Sequence, residues 1–103
     1  MNSAPIINDN AARHRFEIDL GNGEFAYAEY DLPPGAIRFY HTLVPASHGG
    51  QGLGTALIKA GLSAARNRGL KVIPTCPFFR DYLKKHVDEQ DIVDPAHLYL
   101  LLD

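Results

Sequence analysis

Four glycines fall within six positions in His48-Gly49-Gly50-Gln51-Gly52-Leu53-Gly54-Thr55, between a run of strand periodicity and a run of helix periodicity. Glycines leave backbone N–H groups unobstructed, and at a helix start those donors are unpaired and sit at the positive end of the helix dipole. Such a segment can cradle a phosphate or pyrophosphate; the competing reading is a flexible connection. Two familiar phosphate loops do not fit. A Walker A loop needs Gly-Lys-Ser/Thr, and Gly54-Thr55 lacks the lysine. A dinucleotide fingerprint needs GxGxxG, and after Gly50 and Gly52 the third glycine's place is held by Thr55.

Three further side chains could do chemistry. Cys76 stands just before an expected helix start, where the dipole favours a nucleophilic thiolate; equally, a lone cysteine is often a small buried hydrophobe. His41 has the imidazole of a general base, yet alternation groups it with Ile37, Phe39 and Leu43, as a core histidine would be. Tyr82 shares a helical stripe with Phe78, Phe79, Leu83 and His86, so packing alone would explain it. His41, His48, Cys76 and His86 show no close C-x2-C or H-x3-H spacing, and no metal is expected.

The elements that must position these residues follow from periodicity. Residues 1–12 have none and read as a flexible leader. Phe16, Ile18 and Leu20 alternate with Glu17 and Asp19 as a half-buried strand, and Gly21-Asn22-Gly23 supplies a tight hairpin turn into a second strand, Glu24 to Tyr30. Leu32-Pro33-Pro34-Gly35 ends it, and a third strand runs from Ala36 to Val44. Leu53, Ala56, Leu57, Ala60, Gly61 and Ala64 recur at helical spacing over about 52–68, with Arg66, Arg68 and Gly69 as the stop. Leu70 to Ile73 reads as a short buried strand, and Pro77 as the first position of a second helix. The expected fold is α+β: a three-stranded antiparallel meander, then helix-strand-helix, over residues 13–94. Residues 95–103 form an apolar tail in which Leu98-Tyr99-Leu100-Leu101-Leu102 has no polar face; it either docks on the domain or buries itself in a second subunit.

Composition narrows the function class. At 103 residues the chain is one domain, and 46% hydrophobic residues suffice for a core. Ten Lys and Arg against 12 Asp and Glu leave no basic footprint for nucleic acid and no polybasic membrane patch. No run approaches the ~20 apolar residues of a membrane span. One cysteine and a polar N-terminus suit a reducing, cytoplasmic setting.

His41-Thr42-Leu43-Val44-Pro45, followed by Gly50-Gln51-Gly52-Leu53-Gly54 and an Ala-rich helix, resembles the acyl-CoA loop of the GNAT superfamily of N-acetyltransferases. Val72-Ile73-Pro74-Thr75-Cys76-Pro77 and Tyr82 extend the resemblance to its small single-domain branch, over about residues 14–94. The resemblance implies a minimal GNAT-like mixed sheet whose strands splay beside the cofactor. Acetyl-CoA (or CoA) would lie in that cleft, its pyrophosphate on Gly50 to Thr55 and its pantetheine alongside Leu43 and Val44. His48 and Gly49 would complete the loop; Gly49 stands where the family usually has Gln or Arg, so CoA would be held either more weakly or with His48 as the substitute support. It implies an amine acceptor, with transfer either direct or through an acyl-Cys76, with His41 near the thioester and Tyr82 near the usual acid tyrosine. The family's helices between its first two strands have no room at Gly21-Asn22-Gly23, which keeps two other readings open. These are a non-catalytic acyl-CoA-binding or sensing module, and an interaction domain that binds no cofactor and self-associates through the tail.

Overall fold

The structure is a computed structural model and describes residues 4–102. Its sheet has five strands: β1 (Asn8–Asn10), β2 (Arg15–Gly21), β3 (Glu24–Asp31), β4 (Ala36–Leu43) and β5 (Lys71–Pro74), ordered 1-2-3-4-5. The first four are antiparallel neighbours, and β5 joins β4 in parallel through the crossover helix α1 (Leu53–Arg68). Helix α2 (Pro77–Lys85) follows β5, with Pro77 in the first turn. The result is the mixed α+β sheet expected from the sequence.

Each junction has a local cause. The hairpin between β2 and β3 turns through positive φ at Gly21, Asn22 and Gly23. At the end of α1, Gly69 adopts φ 66°, and Leu70 N–H reaches back to the Ala65 carbonyl, closing the helix. Beyond α2, the 3-10 helix Val87–Ile92 is held by Arg66, which binds Asp91 at 2.8 Å and Glu89 at 3.1 Å.

Both helices pack on one face of the sheet, hereafter the inner face. Phe16, Ile18, Ala28, Ile37, Phe39 and Val72 project into a single core with Leu57 and Leu62 of α1 and Phe79 and Leu83 of α2. Phe39 is its centre, stacked on Phe79 with centroids 4.1 Å apart. Each such buried aromatic contributes about 1.5–3 kcal/mol by leaving water. Among the described residues the outer face carries no helix.

Two sequence expectations change. Asn8–Asn10, within the stretch read as a flexible leader, pair with β2 instead. Their side chains supply the reason: Asp9 accepts from the Tyr30 hydroxyl at 2.7 Å and pairs with Arg68 at 2.6 Å, while Asn10 donates to Glu17 at 3.1 Å. Met1–Ser3 of that leader, and Asp103 of the tail, lie outside the described residues. Secondly, the alternation of β4 breaks. Glu29 pairs with His41 but Tyr30 with Phe39, so Tyr40 is an extra residue, a β-bulge. Phe39 and Thr42 are buried while Tyr40, His41 and Leu43 are exposed, so His41 is no core histidine. Of the two readings open for the tail, docking on the domain accords with its 3-10 helix Pro95–Leu101, which packs Leu101 against the core and leaves Leu98, Tyr99 and Leu102 exposed.

Candidate active site

Helix α1 begins with no side-chain cap. Gly50 and Gly52 take positive φ, 79° and 75°, where a β-carbon would strain the chain. The first helical hydrogen bond runs from Ala56 N–H to Gly52 O, so the N–H groups of Leu53, Gly54 and Thr55 precede it and are free to meet a ligand. They border a cavity of about 300 Å³ lined by Val44, His48, Gly49, Gly50, Gly52, Leu53, Gly54, Thr55, Ile58 and Phe78. Eight of these ten are loop or strand-end residues singled out in the sequence; Gln51 and Leu43 are the two so singled out that do not line it. His48 Nδ1 lies 3.0 Å from Ser47 Oγ within a short 3-10 turn, Ala46–His48.

Ile58 and Phe78 escaped sequence reasoning. Both sit in apolar helical stripes that look like core. Phe78 and Phe79 are neighbours on α2, about 100° apart around its axis. Phe79 takes the core at 0% exposure and Phe78 turns out at 46%, over Gly54. A β-carbon on Gly54 would stand 3.4 Å from that ring and 3.8 Å from Val44, within the cavity floor. The residues present therefore fit a ligand with an anionic head and an apolar arm.

Beside the cavity the sheet splits. The last rung joining β4 to β5 is Phe39 to Pro74; past it, β4 keeps only its β3 partner, through the rungs of Glu29, Ala28 and Tyr27. The Phe39 carbonyl ends the pairing by accepting from Cys76 N–H at 2.9 Å and from Thr75 Oγ1 at 3.0 Å. Cys76 closes the inner side of the split. It is 1% exposed, with Sγ 3.2 Å from Thr42 Oγ1, itself buried.

Cys76 and His41 thus approach the split from opposite faces, His41 with its ring edge-on to Tyr27 at 5.9 Å. Tyr82 is not brought to the cavity. It stacks on His86 at 3.8 Å, and burial, then Glu89 and Asp88, push its hydroxyl pKa up. Glu89 is tied to Arg66 in the last turn of α1, at the opposite end from the glycine loop. Among the described residues no three His, Cys, Asp or Glu side chains gather to hold a metal ion, and no helix is long and apolar enough to cross a membrane.

A helix start with no side-chain cap thus opens beside a split between two parallel strands. Residues 15–92 match the family of GCN5-related N-acetyl-transferases, and the chain belongs to that family. Among solved structures, the NMR solution structure of a GCN5-like protein from Staphylococcus aureus is 31% identical, with a TM-score of 0.68. The alignment covers 95% of this chain and 99% of that one. No curated protein gives a significant match.

Proposed function

We propose that this chain binds acetyl-CoA in the cleft between the α1 N-terminus and the β4–β5 split and transfers its acetyl group directly to an amine. The observation that carries the proposal is the convergence at one end of the sheet of free helix N–H groups, an apolar wall and an unpaired stretch of β4. The N–H groups of Leu53, Gly54 and Thr55 suit a pyrophosphate, with His48 beside them. Val44, Ile58 and Phe78 suit the apolar arm, with the backbone past Phe39 offering donors and acceptors to its amides. When bound, acetyl-CoA supplies a thioester: the acceptor nitrogen bonds to the carbonyl carbon, the C–S bond breaks, and the thiol leaves with one of the ammonium's protons. His41 takes the other proton, the one that must leave before nitrogen can attack. The burial of Cys76 against Thr42 supports direct transfer over an acyl-cysteine, because the thiol has no open path to an acyl group. A cytoplasmic setting, which keeps that thiol reduced, accompanies the reading, and the exposed Leu98, Tyr99 and Leu102 leave self-association through the tail within it.

A bare outer face, lacking helices that would enclose an acceptor, favours a second reading: a module that binds acetyl-CoA without turning it over. Calorimetric titration with acetyl-CoA and CoA, followed by turnover against an amine panel, separates the two. Binding is expected in the wild type, lost in Gly52→Val and weakened in Phe78→Ala, with far-UV circular dichroism checking that each variant folds. Cys76→Ala should keep turnover within about threefold, whereas an acyl-enzyme route would lose it about a thousandfold or more. No binding by the folded wild type removes both readings; binding without turnover leaves the sensing module.

A further inference from the structure

The cavity at the start of α1 holds almost no formal charge. His48 is the only titratable residue in its lining, and among the described residues no lysine or arginine borders it. The free N–H groups of Leu53, Gly54 and Thr55 offer the partial charge of a helix end, about half a unit. A pyrophosphate brings a full negative charge on each phosphate. Within this lining, His48 alone can answer with a full positive charge.

The local chain fixes where that imidazole stands. His48 N–H donates to the Pro45 carbonyl at 2.9 Å and Gly49 N–H to the Ala46 carbonyl at 3.1 Å, closing the 3-10 turn Ala46–His48. The turn crowds any side chain at the next position, since a β-carbon on Gly49 would stand 3.3 Å from the Ala46 oxygen. His48 is half-buried, and its Nδ1 lies 3.0 Å from Ser47 Oγ, which leaves Nε2 as the ring's free end. Charged groups on the neighbouring elements stand outside the cavity. Lys59 follows Ile58 on α1, Arg80 and Asp81 follow Phe78 on α2, and His41 lies on the outer face of β4; none lines the cavity. Among the described residues none of them is bonded to His48.

We propose that His48, in its protonated form, is the counter-charge for the cofactor's pyrophosphate, so that acetyl-CoA affinity falls as pH rises through the neutral range. This rests on the acetyl-CoA reading above and names the regulation of that same site. Imidazole is the side chain whose charge ordinarily changes between about pH 5 and 8. Protonated, the ring donates Nδ1–H to Ser47 Oγ and Nε2–H to a phosphate oxygen; neutral, it keeps one N–H and loses the charge. Anion binding favours the protonated ring, so affinity is greatest at the acid end of this range and declines toward the alkaline end. An opposite charge at hydrogen-bonding distance moves such a group by about one pH unit or more, which is about tenfold in affinity. The cofactor's 3′-phosphate acts in the opposite sense, because it gains charge as pH rises past about 6.

Calorimetric titration with acetyl-CoA at about pH 5.5, 7 and 8.5 tests the proposal. Wild-type affinity is expected to weaken about tenfold from the acid to the alkaline end. His48→Gln, which keeps a neutral donor, should bind with one pH-independent affinity near the wild type's alkaline value. His48→Arg should bind with one near its acid value, and far-UV circular dichroism checks that both variants fold. Dephospho-CoA, which lacks the 3′-phosphate and keeps the pyrophosphate, should show a decline at least as steep. In a second measurement, NMR titration of the His48 ring should show its midpoint raised by acetyl-CoA. The proposal is overturned by a wild type whose affinity ignores pH, by a decline that survives in His48→Gln, or by a His48→Arg no tighter than His48→Gln. It also falls if dephospho-CoA shows no decline, or if acetyl-CoA leaves the His48 midpoint where it was. A pH-independent wild-type affinity leaves the acetyl-CoA reading standing, whereas no binding at any of these pH values removes both.

Discussion

Gly61 lies on the buried face of α1, where an ideal β-carbon would stand 2.7 Å from Phe39 Cζ and 3.3 Å from Phe79 Cε2. Alanine there would gain about 1 kcal/mol of helix propensity. It would also push apart the stacked Phe39–Phe79 pair, and overpacking of this kind costs about 1–3 kcal/mol. Gly61→Ala is therefore expected to lower the urea midpoint with an unchanged m-value; a raised midpoint would mean that the rings yield freely. In the sequence Gly61 is one more small residue in an apolar stripe, because nothing local reveals what stands opposite. The same blindness hid the orientation of His41. Alternation from Ile37 through Phe39 points His41 inward, and one unpaired residue, Tyr40, reverses it. The glycine loop was legible because positive φ and a bare helix start are local properties of residues 50–55. Phe78 was not, since which of two adjacent phenylalanines faces the core depends on how α2 is rotated against the sheet.

Strand β1 is held by side chains, and that makes it sensitive to alkali. Tyr30 is buried, and burial together with the hydrogen bond to Asp9 pushes its pKa up to about 12. Unfolded, the phenol ionises near 10. Between those values the unfolded chain binds fewer protons, so this contribution is complete below pH 10 and is lost as pH rises toward 12. Folding stability is expected to fall through that window, and Tyr30→Phe should flatten the slope when both proteins are followed by denaturant titration. Equal slopes would show that Tyr30 does not govern the window. Asn8–Asn10 carry no β-branched or aromatic residue, which is why the sequence offered no sign of this strand. By contrast β2, β3 and α1 were legible from periodicity, and the start of α2 from Pro77, because those signals lie within the elements themselves.

At the scale of the whole fold, α1 and α2 cover one side of the sheet and the cleft is at one end of it. A ligand that binds only the folded cleft stabilises the fold by mass action, about 2.7 kcal/mol at a hundredfold excess over Kd. For a domain of this size that corresponds to a rise in Tm of about 10 °C. Acetyl-CoA should therefore raise Tm with the logarithm of its concentration, and Gly52→Val should abolish the dependence. A Tm indifferent to acetyl-CoA in the wild type would count against the cleft.

The split has a further consequence. Where β4 parts from β5 it presents a free sheet margin, the kind of template on which another extended chain can add a strand. The margin is short, bracketed by the bulge at Tyr40 on one side and by Pro45 on the other. A kinked start and a residue without an N–H leave too few consecutive rungs for a foreign strand to hold. The cleft can thus stay open to a small ligand without seeding assembly of the protein on itself.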